Sequence, residues 1–194
     1  MSVARGNKTR TGRSKENQLL KRPGIFVLGF ILCSGSIYAQ SSAEPDSLGC
    51  YSLGFSTYLS HTDKYAAGFD ICTDSEGNIY ISGNTRDKNF PATEGAFQTE
   101  LKGEADAFVA KFTPGGELVF ASLIGGTKRE HHTGITVDDS GYIYLMGGTH
   151  SSDFPVTPGA YDTSFNGEGQ WAGDVFLAKM DPSGSDIVFS TFIG

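Results

Sequence analysis

The chain has 194 residues, 26 of them glycine, which is about 13% against a usual value near 7%, while charged residues make up only 19%. The glycines follow no three-residue period, and Ala, Glu, Lys, Leu and Arg do not dominate, so collagen and coiled coil are excluded. The net charge of −7 is uneven: residues 1–40 hold seven of the 15 Lys and Arg and one of the 22 acids, leaving −13 for the rest, a surface that repels phosphate backbones and argues against nucleic acid or anionic membranes as partners.

Residues 1–39 read as a signal peptide. A positive region ends at Lys21-Arg22, an apolar stretch runs from Ile25 to Cys33, and small or polar residues lead to Ala39, after which cleavage is expected. The apolar stretch is shorter than the about 20 residues a spanning helix needs, and no later run is longer, so the product is expected to be secreted or displayed at the cell surface without spanning a membrane. Cys33 follows Phe30-Ile31-Leu32 and not a small residue, which argues against lipidation. Residues 40–54 read as a linker. It carries Cys50, which is 22 residues from Cys72; an exported pair can form a disulfide, while Cys72 reads as well as a small buried hydrophobe. Neither has the spacing of a metal or catalytic cysteine.

From Phe55 onward the chain repeats. Asp74-Ser75-Glu76-Gly77-Asn78-Ile79-Tyr80-Ile81-Ser82-Gly83 returns 64 residues later as Asp138-Asp139-Ser140-Gly141-Tyr142-Ile143-Tyr144-Leu145-Met146-Gly147. Phe90-Pro91 returns at the same offset as Phe154-Pro155, and Asp106-Ala107-Phe108-Val109-Ala110-Lys111 returns 68 residues on, from Asp174 to Lys179. A third element occurs three times: Phe55-Ser56-Thr57-Tyr58-Leu59, Phe120-Ala121-Ser122-Leu123-Ile124 and Phe189-Ser190-Thr191-Phe192-Ile193.

The local signals are all β. Ile71–Thr73 and Ile79–Ser82 flank a turn with Gly77 at its tight position, repeated at Gly141, which predicts a hairpin with positive φ at both glycines. A third strand is expected over Ala107–Phe112 and a fourth over Leu118–Ile124, separated by Thr113-Pro114-Gly115-Gly116. The segment 84–104, with Phe90-Pro91, shows no period and reads as an ordered loop whose proline, like Pro155, serves a turn. No helix is expected beyond the leader.

Four antiparallel strands per unit, with Gly and aromatics at fixed places, are the cue for propeller blades. The units resemble the seven-bladed β-propeller repeat family often called SBBP repeats, whose pattern is similar to V-D-x-x-G-N-x-Y-V-x-G, then D-F-P-T-T-P-G-A-F, D-A-F-V-A-K and L-x-Y-S-T-Y-L-G-G. Asp153-Phe154-Pro155-Val156-Thr157-Pro158-Gly159-Ala160-Tyr161 and Asp106-Ala107-Phe108-Val109-Ala110-Lys111 carry the resemblance, which spans Phe55 to Gly194; Asn89 and Glu94 depart from it. It implies a repeat architecture of exported and surface proteins, with no shared catalytic residues. A closed ring needs about four blades or more. Two four-stranded units, 55–124 and 125–194, plus the lone strand at Phe55 therefore predict nine strands in an incomplete propeller arc, a fragment of a larger ring or one that self-associates.

The candidate chemistry has plainer readings. His131-His132 is assigned to a connector between blades as solvated loop histidines, and His61 and His150 stand apart. Asp74 and Asp138 precede glycine turns without the ligand spacing of a calcium loop, so they read as Asx-turn residues. Asp106 and Asp174 read as residues that turn the chain into a strand. Trp171, Tyr161 and Phe165 are expected to cover the hydrophobic edge between blades. No metal or cofactor site is expected. The leading function is a non-enzymatic module for protein or glycan interaction or adhesion; the alternative is part of a propeller hydrolase or lyase with its catalytic residues on other blades.

Overall fold

The computed structural model describes residues 31–32, 36–39, 55–59, 65–167 and 173–194. Cys50, His61, Trp171 and the linker 40–54 lie outside the described residues. Among those described there is no helix, and no helix is long and apolar enough to cross a membrane. Among the described residues, eleven strands form three antiparallel sheets. The first contains β1 (Ile31–Leu32), β2 (Ser36–Ala39) and β3 (Phe55–Tyr58) in that order. The second, blade one, is a meander of β4 (Ala66–Thr73), β5 (Ile79–Thr85), β6 (Asp106–Phe112) and β7 (Leu118–Ile124). Blade two repeats it as β8 (Glu130–Val137), β9 (Ile143–Thr149), β10 (Asp174–Met180) and β11 (Ile187–Ile193).

Two features differ from the sequence reading. The strand at Phe55 is not alone, because Ser36–Ala39 pairs with it, Ser36 opposite Tyr58 and Ala39 opposite Phe55. The first strand of each blade is also longer than Ile71–Thr73 suggests: β4 begins at Ala66, and β8 begins at Glu130, so His131 and His132 lie inside a strand and not in a connector. The signal was hidden because these inner strands carry glycines, an aspartate and a bulge. Their register shifts between Gly68 and Asp70 and between His131 and Gly134, and His132 sits at φ 51.

Both faces of blade one are apolar, and both are covered. Tyr80, Ala107, Val109, Phe120 and Ile124 pack against Ile143, Leu145, Phe176, Met180 and Phe192 of blade two. On the opposite face Ile79, Ile81, Phe108, Phe112 and Leu123 pack with Leu59 and Phe55. All seven residues of β5 are therefore buried, the pattern of a strand with a sheet on either side. Each fully buried Phe in these layers contributes about 2–3 kcal/mol.

The aperiodic loop after β5 is ordered. Phe90 packs against Phe108 with the rings tilted and their centroids 5.1 Å apart, and Phe154 stacks on Phe176 at 4.3 Å, so Pro91 and Pro155 each follow a ring anchored in the core. Beyond the prolines, Thr93 donates its backbone amide to Ala121 O at 2.9 Å, and Thr157 does the same to Ser190 O at 3.0 Å. The loop thus occupies the open edge of each outer strand, which would otherwise offer free pairing groups.

The hairpin glycines have the backbone expected of them, with φ 82 at Gly77 and 81 at Gly141. A Cβ on Gly141 meets only Pro182 side-chain atoms, the nearest at 3.3 Å, so the cost of a side chain there is mainly backbone strain. Gly141→Val is expected to lose about 1–3 kcal/mol in chemical denaturation and Gly141→Asn clearly less, since Asn enters the left-handed region more readily. Equal effects of the two substitutions would place the turn elsewhere.

Candidate functional site

Polar side chains gather in two places on the seam between the blades. At the hairpin end, Asp74 accepts the backbone amides of Glu76 at 3.0 Å and Asn78 at 2.9 Å, together with Tyr80 OH at 3.1 Å. Lys111 lies 3.7 Å from the same carboxylate and 4.9 Å from the centroid of the Tyr80 ring. Blade two repeats the arrangement. Asp138 accepts the amides of Ser140 at 3.0 Å and Tyr142 at 2.9 Å and Tyr144 OH at 3.2 Å, with Lys179 at 3.9 Å. These are Asx turns extended by a Tyr and a Lys. Burial works to raise the pKa of Asp74, but the hydrogen bonds from Asn78, Tyr80 and the Glu76 amide outweigh it and hold the carboxyl below its ordinary range. Between the hairpins lies a cleft of about 280 Å³, lined by Asp74, Glu76 and Lys111 on one side and Asp138, Asp139 and Pro182 on the other.

The second place is the start of β8. Glu130 is fully buried; its Oε1 accepts Thr149 Oγ1 at 2.7 Å and its Oε2 accepts the Gly126 amide at 3.3 Å. Asp106, also fully buried, accepts Gln98 Nε2 and the amides of Lys102 at 2.8 Å and Gly103 at 3.0 Å. The two carboxyls flank Gly125, where a Cβ would stand 2.4 Å from Glu130 Oε2 and 2.7 Å from Asp106 Cγ. Burial pushes Glu130 up to about 7, opposed by the bonds from Thr149 and Ser151 and reinforced by Asp106. Asp106 is itself raised, first by burial.

Beside them, three imidazoles form a chain: His131 Nδ1 lies 2.8 Å from His132 Nδ1, and His131 Nε2 lies 3.1 Å from His150 Nε2. His150, which stands apart in the sequence, arrives here because Thr149 pairs with Glu130 across β8 and β9. Burial and then the neighbouring His132, His150 and Arg129 depress the pKa of His131. Both ring nitrogens of His131 lie within hydrogen-bond distance of other imidazoles, and Glu130, with no exposed surface, is not presented to a solvent-borne reactant. No group of three or more His, Cys, Asp or Glu among the described residues is arranged to hold a metal ion.

Other residues fall into place around the seam. Asp174 accepts the Asn166 amide at 2.7 Å, as Asp106 does with its own loop. Phe165 packs edge-on to Phe192 at 5.8 Å, whereas Tyr161 does not cover an edge; its side chain projects into solvent at 88% exposure. Cys72 is half-buried and has no disulfide partner among the described residues; burial, followed by Asp70 and Asp74, pushes its thiol up to about 11. Sequence reasoning overlooked Asp70, Ser82 and Asn84, which tie blade one to the backbone of β8: Asp70 Oδ2 accepts the Ile135 amide at 2.9 Å, Ser82 Oγ donates to Thr133 O at 3.3 Å and Asn84 Nδ2 donates to Glu130 O at 2.9 Å. The repeat offset held the clue. Sixty-four residues separate Ala66 from Glu130 and Asp70, Ser82 and Asn84 from Gly134, Met146 and Gly148, so the seam residues are those that break the repeat.

Two four-stranded meanders that stack through apolar faces and carry the same Asp–Tyr–Lys cluster define a β-propeller-type repeat protein. The family model for the SBBP beta-propeller repeat matches residues 54–91 and 133–155, each match ending at the proline of its Phe-Pro step. No curated protein matches the chain.

The buried carboxyl sets a pH dependence with a definite sign. Because the folded value of Glu130 is raised from 4.5 to about 7, its contribution is fully present below pH 4.5 and is lost as pH rises through 7. Between pH 5 and 8 the wild type should lose about 2.5 kcal/mol relative to Glu130→Gln, which lacks the titration. Urea denaturation of both proteins at the two pH values measures the difference, and parallel profiles would mean that Glu130 is ionised in the fold.

Proposed function

We propose that this chain is a secreted or cell-surface, non-enzymatic β-propeller repeat module for protein or glycan interaction and adhesion, with further blades or other copies of itself as neighbours. One observation carries the reading: Asp74, Tyr80 and Lys111 in blade one and Asp138, Tyr144 and Lys179 in blade two perform the same structural bonding, so the polar groups that repeat are committed to holding turns and do not form a differing set that converges on a reactant. The departures from the repeat, Glu130 with His131, His132 and His150, favour the alternative of a hydrolase or lyase part. Enclosure of Glu130 and occupation of both His131 nitrogens weigh against that alternative.

Export is supported by the leader pattern of residues 1–39. Cleavage after Ala39 removes β1 and β2 and leaves β3 without its sheet partner. N-terminal sequencing of the exported product is expected to begin at Gln40, and an uncleaved chain retained in the cell would overturn this part. On a glycan array and in surface-resonance binding to extracellular proteins, the product should bind saturably without turning its ligand over. Glu130→Gln and His131→Ala should change that binding less than twofold. Release of a cleaved ligand, abolished by either substitution, would establish the enzymatic alternative.

A further inference from the structure

The outer strands share a contact that repeats along the chain. The ring of Phe55 lies against Gly116 of the next sheet, where a Cβ would come within 2.7 Å of it, and the ring of Phe120 lies against Gly184 in the same way, at 2.4 Å. Phe189 is the third member of this series, in Phe189-Ser190-Thr191-Phe192-Ile193, and it is half-buried with no such glycine against it among the described residues. Around it lies the face of blade two that corresponds to the covered face of blade one. Ala107 and Ile124 are fully buried, while their counterparts Val175 and Ile193 are 40% and 45% exposed; Ser82 is fully buried, while Met146 is 54% exposed.

Compared with blade one, this open face has exchanged its polar anchors for apolar or absent side chains. Asp70, Ser82 and Asn84 bond the backbone of the next inner strand, whereas Gly134, Met146 and Gly148 stand in their places. His131 fills the gap over Gly148, a Cβ there lying 2.5 Å from its Cε1. The charged group at the end of the face, Lys179, is already paired with Asp138. A joint on this face is therefore made by apolar contact, the chemistry of interfaces between identical subunits.

The surface that matches it is present in the same chain. Gly116 and the Ile79, Ile81 and Phe108 face of blade one receive Phe55 and Leu59, and β3 and β11 carry nearly the same residues, Phe-Ser-Thr-Tyr-Leu and Phe-Ser-Thr-Phe-Ile. β3 is held by its pairing with β2 and by those two side chains, so loss of the leader leaves only the side chains. We propose that blade two of one molecule docks on blade one of a second copy, with Phe189 replacing Phe55 against Gly116, so that copies join head to tail. Such a heterologous contact closes into a ring or grows as a series, depending on its rotation. The proposal rests on reading the chain as a module of stacking blades.

Sedimentation of the product beginning at Gln40, from about 1 to 100 µM, tests it. The weight-average mass is expected to at least double over this range, and the uncleaved chain should need roughly tenfold higher concentration for the same rise. Met146→Lys with Val175→Lys, both exposed in the single copy, should stay monomeric throughout with unchanged circular dichroism and melting temperature. Phe55→Ala, which weakens the resident strand, should strengthen association several-fold. A folded wild type that remains monomeric at 100 µM, a double variant that associates as the wild type does, or weaker association of Phe55→Ala would each overturn the proposal. Glycan or protein binding by a strictly monomeric wild type would leave the interaction-module reading standing while this joint fails, and association without any ligand binding would do the reverse.

Discussion

A four-stranded sheet that is apolar on both faces gains stability from a sheet packed on either side, and this constraint governs the molecule. In β6, Phe108 and Ala110 face one neighbour while Ala107 and Val109 face the other, and all four are buried. A free-standing sheet has one solvated face and alternating polarity; here alternation is lost because both sides are dry. The repeat follows from the constraint, since a unit that cannot bury its own surface must be followed by another that can. The Phe–Gly contact sets the distance of approach, because a ring seated on a residue without a Cβ brings the outer strand of one sheet against the turn of the next.

Stacking solves the faces but not the edges. The outer strands β7 and β11 end their sheets, and their exposed pairing groups are taken up by Thr93 and Thr157, whose hydroxyls and amides both engage the strand backbone. The long loop is thereby a structural part of the blade, fastened at one end by Phe90 or Phe154 in the core and further along by Gln98 or Asp162, whose carbonyls accept the amides of Leu123 and Phe192. Conserving these fastenings in both blades leaves the Asp106 and Asp174 carboxylates to gather the loop's amides just before the third strand begins.

What could be read from the sequence was whatever repeats. The hairpin glycines, the Asx turns at Asp74 and Asp138, the middle and outer strands and the absence of helix among the described residues all arise from local rules that act identically in both units, so a second copy doubles the signal. The inner strands were harder. Ala66–Asp70 and Glu130–Gly134 owe their conformation to pairing with β5 and β9 and to being roofed by a neighbouring blade, not to β-branched residues of their own. The histidine chain was illegible for a related reason: His150 meets His131 only once the register of β8 on β9 is known, and an aligned pair of strands is information that spacing along one strand does not contain. Tyr161 was misplaced because an aromatic among aromatics suggests a cover, whereas it is its neighbour Phe165 that turns inward.

The residues that break the repeat show how two nearly identical sheets acquire a defined seam. Glu130 replaces an alanine of the preceding unit and is bound from every side: its amide donates to Ala105 O at 2.8 Å, its carbonyl accepts from Asn84, and its carboxyl bridges Thr149 of its own blade and Gly126 of the connector. An apolar side chain of equal volume would fill the same space yet leave the Gly126 amide and the Thr149 hydroxyl buried without those partners, a cost of about 1–3 kcal/mol each. Apolar packing alone fixes the spacing of the sheets but tolerates sliding along them. A single polar residue tied to the connector, the inner strand and the neighbouring blade removes that freedom, and the room for it exists because Gly125 has no side chain to stand between the two carboxyls.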